Sequence, residues 1–107
     1  SPRVVRGGMD PNLIRQILMD NLPQFRYCYQ SVLDKSNSKF DGRVGMNFLI
    51  GASGRVTRAA IKSVTSTVPR KVNNCMVNVL KGIKFPSPPG GGVVEVNQPF
   101  GLQSSGR

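Results

Sequence analysis

Apolar residues recur along this chain with two different periods, and the places where the period changes outline its elements. Leu13, Ile14, Ile17 and Leu18 stand at helical spacing just after an Asp10-Pro11 start. Asp is a favoured N-cap, and proline at the first helical position loses no hydrogen bond. Pro23 must interrupt that helix and Asn21 can cap a restart. Phe25, Cys28, Tyr29, Val32 and Leu33 then form a second stripe ending near Ser36. After Asp41-Gly42, read as a turn, the period drops to two. Val44, Met46, Phe48 and Ile50 alternate with Arg43, Gly45, Asn47 and Leu49, as in a half-buried strand. Gly51-Ala52-Ser53-Gly54 makes a hairpin loop, and Val56, Ala59, Ile61 and Val64 mark the return strand. Val56 is out of phase with Ala59 and Ile61, which predicts a bulge or an early twist there.

Ser66-Thr67-Val68-Pro69 opens a further helix with the most regular stripe in the chain: Val72, Cys75, Met76, Val79, Leu80 and Ile83. Pro86 is expected to end it. Ser87 to Gly92 turns the chain back, and Val93 to Phe100 reads as the last strand. The order helix, strand, strand, helix, strand predicts an α+β two-layer sandwich. Its sheet is antiparallel and three-stranded, with both helical regions on one face and an optional fourth strand at Arg3-Val4-Val5-Arg6. Residues 1–8 are expected to be a linker or that short strand, 9–101 the domain and 102–107 a disordered tail. The chain starts without Met and ends in Ser104-Ser105-Gly106-Arg107, which reads as a piece of a longer protein. No apolar run approaches the ~20 residues of a spanning helix, so any anchor is expected outside this sequence.

The last strand is the expected sheet edge, because proline within a strand is tolerated chiefly there and Pro99 closes this one. Glu95, the only Glu of the chain, adds a charge of the kind that guards an edge. Such an edge is either protected or kept open for an extended peptide to add as a strand. On the second reading Val93, Val94, Glu95, Val96, Asn97 and Gln98 form the peptide-binding edge.

Composition narrows the chemistry. Fifteen Lys and Arg against five acids give a net charge of +10, scattered rather than blocked. That favours an acidic partner, whether protein, anionic lipid, wall polymer or nucleic acid. The chain has no His, so no Ser-His or Cys-His pair can form, and its acids have no evident reason to converge. The sequence therefore reads as a non-enzyme with no cofactor and no metal site. Nucleic-acid binding rests on charge alone. Gly51-Ala52-Ser53-Gly54 is formally a GxxG but joins strands rather than helices, and the strands offer Asn47, Thr57 and Lys62 where an RNA-binding sheet needs aromatic rings. Cys28 and Cys75 fit no redox or zinc spacing. Each falls on the inward stripe of its own helix, so side-by-side helices would bring them within bridging range; two separately buried thiols are the alternative. A bridge would imply an oxidising compartment.

Several of these residues together resemble the TonB C-terminal domain. Gly42-Arg43-Val44 precedes the alternating strand, Gly54-Arg55-Val56 opens the next, Phe85-Pro86 follows the second helix, and a valine-rich strand closes the chain. The nearer likeness is to the AgmX/PglI-type branch associated with gliding motility. It rests on Cys28-Tyr29 in the first helical region, Cys75 in the second, and the closing Val-Val-Glu-Val-Asn-Gln-Pro-Phe. The resemblance covers roughly Met9 to Phe100. Where many relatives carry Trp-x-Phe-Pro, this chain has Ile83-Lys84-Phe85-Pro86, which keeps a core residue and loses an aromatic contact. The resemblance implies a periplasmic domain of an inner-membrane-anchored protein, coupled through upstream residues to a proton-driven motor. It would hold an extended peptide of an outer-membrane or periplasmic partner, in motility or in TonB-dependent transport. A structural scaffold or peptidoglycan-associated domain is the alternative, a basic nucleic-acid-binding module the second alternative. An open edge also permits a homodimer.

Overall fold

In a computed structural model of the chain, residues 2–36, 41–65 and 68–103 are described, with side chains for 2–30, 42–65 and 68–102. Strand β1 (Arg3–Arg6) leads to helices α1 (Pro11–Asp20) and α2 (Leu22–Ser36), then β2 (Asp41–Ile50) and β3 (Val56–Val64), helix α3 (Arg70–Lys81) and β4 (Val94–Gln103). The fold is α+β, with one four-stranded sheet in the order β1-β4-β2-β3, every pairing antiparallel. The short N-terminal strand is therefore part of the sheet.

Local chemistry explains the starts and stops. The Asp10 carboxylate accepts from the Asn12 amide at 2.9 Å, capping α1 beside Pro11. Asn21 closes α1, and its carbonyl receives the Gln24 and Phe25 amides that begin α2. Its side chain does not cap the restart as expected; it donates back to the Ile17 carbonyl at 2.9 Å. Helix α3 ends at Gly82, four residues before the proline expected to stop it. Glycine is a weak helix former, and leaving the helix there lets Ile83 and Phe85 drop into the core. The Phe85 amide then donates to the Gly54 carbonyl at 2.9 Å. Gly54 has φ of +91°, and a Cβ there would stand 1.9 Å from the Phe85 carbonyl oxygen. The two short signatures Gly-Arg-Val and Phe-Pro thus meet at one backbone contact.

Both boundaries of the central pair also move. Asp41-Gly42 is the first part of β2 rather than a turn, paired with Gln103 and Leu102. The last strand runs on to Gln103, so residues 102–103 are not tail, and Leu102 is buried at 2% exposure. Continuous pairing with β2 holds that extension in place. The bulge expected at Val56 is present as a register shift beside the Ile50–Val56 pair, and a second shift follows Gly45.

One side of the sheet is apolar and covered. Val44, Met46, Phe48, Ile50, Val94, Val96 and Leu102 are buried with Ile14 and Leu18 of α1, Phe25 of α2, and Val72, Met76 and Leu80 of α3. Phe48 stacks on Phe85 at 5.8 Å, and Phe25 lies 4.8 Å from Phe100 across the helix–sheet interface. Cys28 and Cys75 form a disulfide that ties α2 to α3, with Cα atoms 5.5 Å apart. The side chains of Val32 and Leu33, expected to extend the α2 stripe, lie outside the described ones, as do Ser66 and Thr67 before α3.

Candidate functional site

Among the described residues, strand β4 has a neighbouring strand along only the first part of its outer side. Arg3 pairs with Asn97, Val4 with Val96, and Arg6 with Glu95 after a register shift. Gly7 then turns away with φ of +102°, so close that a Cβ would meet the Val93 carbonyl oxygen at 2.8 Å. From Glu95 to Asn97, β4 is consequently an interior strand. The expectation that Val93 to Gln98 forms the open edge is corrected by this pairing. The pairing could not be read in advance because it joins residues some ninety positions apart, and no local pattern encodes it.

The six expected edge residues separate accordingly. Val93 precedes the strand and is exposed; Val94 and Val96 point into the core. Glu95 accepts from the Asn47 side-chain amide at 2.9 Å, and the Asn97 side chain accepts from the same group at 2.8 Å. Those three polar residues make a cross-strand cluster on the uncovered face of the sheet. Gln98 alone falls at the boundary, one residue past the last β1 pair.

Beyond that boundary, Gln98 to Gln103 keep unbroken register with β2, but no strand pairs with their outer side among the described residues. Pro2, buried beside Gln98, is the first described residue, and Pro99 follows directly along the strand. Pro99 has no amide hydrogen to offer a neighbouring strand, and it lies two residues past the Arg3–Asn97 pair. The proline of this strand stands in the half that no described strand covers.

A hollow of about 240 Å³ opens beside the uncovered half, between β4, α1 and the buried Pro2 that precedes β1. Leu18, Met19, Leu22 and Phe100 give it apolar walls, and Arg15 carries the only charge in its lining. Met19 is 47% exposed although it is large and apolar. Gln98 also lines the hollow and is only 9% exposed. Its amide nitrogen donates to the adjacent Pro99 carbonyl, while its Oε1 is buried with no hydrogen-bond partner among the described residues. A second hollow, about 250 Å³, lies on the opposite face beside Asn97 to Pro99, next to Lys62 and Ser63. Sequence reasoning reached Gln98 as part of the strand. It placed Leu18 in the apolar stripe of the first helix and did not single out Pro2, Arg15, Met19 or Leu22 for this site.

The described aromatic rings of the sheet, Phe48 and Phe100, face the helices. The uncovered face presents Asn47, Glu95, Asn97 and Pro99 between strands carrying Arg43 and Arg58, which is not a base-stacking surface. Among the described residues no group of acids and cysteines is placed to hold a metal ion, and no helix is long and apolar enough to cross a membrane. No protein-family model matches the chain, and no curated protein or solved structure does either.

Proposed function

We propose that this chain is a peptide-holding domain that transmits force or energy in the periplasm, with a TonB C-terminal-like fold. It belongs to a protein anchored in the inner membrane and takes an extended segment of an outer-membrane or periplasmic partner as an added strand, in gliding motility or TonB-dependent transport. The observation that carries the reading is the open half of β4. Six consecutive residues there pair with β2 on one side and with no strand on the other among the described residues, with Pro2 buried beside the first of them. Backbone groups along such an edge supply affinity for an incoming strand, and alternate side-chain positions supply selectivity. Several hydrogen bonds loaded together along one strand also suit force transfer.

Two further observations support it. Helical region, hairpin, helix and strand follow in the order the resemblance implies. The Cys28–Cys75 bridge suits an oxidising compartment such as the periplasm. Relative to the residues first expected, the docking segment moves along β4, from 93–98 to 98–103. The same edge suits a second copy of the chain, which gives a homodimer as the competing occupant.

Selection of a randomised twelve-residue peptide library against the protein, followed by amide shift mapping of the enriched peptides, tests the reading. Shifts concentrated on the outer side of a strand, with strand-like shifts in the peptide, are expected. Shifts confined to α2 and α3, or a library that yields no binder, would refute strand addition.

A further inference from the structure

We infer that the hollow between α1 and the open half of β4 is the specificity pocket of this edge, and that it selects an acidic extended peptide carrying an apolar side chain. This rests on the strand-addition reading and goes further by stating which part of the edge is used and what chemistry it recognises. Gln98 and Phe100 point from β4 toward the helices, because side chains alternate along a strand and Val94, Val96 and Leu102 share their face. A strand laid along residues 99–103, in line with β1 and beyond Pro2, would turn every second side chain the same way, toward the hollow.

The walls then define the ligand. Leu18, Met19, Leu22 and Phe100 receive one apolar side chain, with the unbranched Met19 free to adapt to its shape. At about 240 Å³ the space is below the ~300–1,000 Å³ of clefts that hold drug-sized molecules, which favours a side chain over a free small molecule. Arg15 at the rim offers a guanidinium to a carboxylate, and the net charge of +10 draws acidic segments toward the surface. Gln98 Oε1, buried and without a partner among the described residues, is an acceptor that a ligand donor could reach from the hollow. The amide or a hydroxyl of an added strand would satisfy it, and such a polar group left unpaired is a strong discriminator between ligands.

A second copy of this chain fits less well. The β4 segment it would bring is Gln98 to Gln103, which contains no acid to meet Arg15.

The peptides enriched from the randomised library provide the test. They are expected to carry an acid close to an apolar residue and to shift the amides of α1 between Arg15 and Leu22 together with those of Gln98 to Gln103. Arg15→Glu and Gln98→Leu are each expected to weaken binding about tenfold or more, and Met19→Ala several-fold. Arg58→Glu, on the opposite edge strand, should change it less than twofold at moderate salt. Thermal melting of each variant separates lost binding from lost folding, and the shift map of the unaltered protein needs no variant. Peptides that map to Val56–Val64, or that respond equally to Arg15→Glu and Arg58→Glu, would overturn the pocket while leaving strand addition standing. A library with no binder would overturn both. Enrichment of basic or featureless peptides would overturn the selectivity stated here.

Discussion

Among the described residues the sheet is unpaired along the outer sides of β1 and β3 and along the second half of β4, and the last two are defended very differently. The outer side of β3 belongs to a strand with two register shifts against β2, and it carries Arg58 and Lys62. Bulges and charges are the usual means of keeping an edge from recruiting another strand. The outer side of β4 from Gln98 to Gln103 has no register shift and no charged residue. Its only guard is Pro99, which removes one donor. One edge is closed to pairing and the other is left usable, with a polar acceptor and an apolar hollow beside it. That asymmetry, more than the overall charge, directs the functional reading to β4.

The most disruptive way to probe the contrast is to release the cover of the sheet. The Cys28–Cys75 bridge closes a loop between residues 47 apart, worth about 4 kcal/mol on the chain-entropy estimate. Cys28→Ser with Cys75→Ser should lower unfolding free energy by about that amount in a denaturant titration. The helix α2 it anchors reaches β4 through Phe25 and Phe100, so the open half should loosen with it. Somewhat smaller is Leu102→Ala. Loss of a buried leucine side chain costs ~2–5 kcal/mol, and a loss in that range by the same titration would establish residues 98–103 as a packed strand. A disordered tail there would give almost none. Smallest in energy is Pro99→Val, which restores an amide hydrogen to the open edge. Sedimentation should then show self-association strengthened about tenfold, or ~1.4 kcal/mol. Lys62→Thr on β3 should have less effect, because the bulges remain.

Local signals were legible in the sequence because they depend on residues within one turn or one pleat. The Asp10-Pro11 start, the inward set Val44, Met46, Phe48 and Ile50, and the bulge at Val56 are of this kind. The two cysteines could be brought together because each sat on a readable stripe. Signals that depend on distant partners were not legible. Pro86 looked like the helix stop, yet Gly82 ends α3 because Phe85 is held by Gly54, thirty-one positions earlier in the chain. Leu102 looked like tail because only pairing with Gly42 makes it core. The candidate site divides the same way. Pro99 lies where no described strand covers β4, but the cover over Glu95 to Asn97 comes from the other end of the chain, and the α1 walls of the hollow gave no local sign of their position.

Amide hydrogen exchange along β4, measured with and without a peptide selected from the library, tests the central claim most directly. The expected result has two parts. Amides of Glu95 to Asn97 are protected in both states by β1 and β2. Those among residues 100–103 that face away from β2 exchange quickly in the free protein and become protected in the complex. Protection gained instead on Val56 to Val64, or β1 amides released as the peptide binds at Glu95 to Asn97, would contradict it.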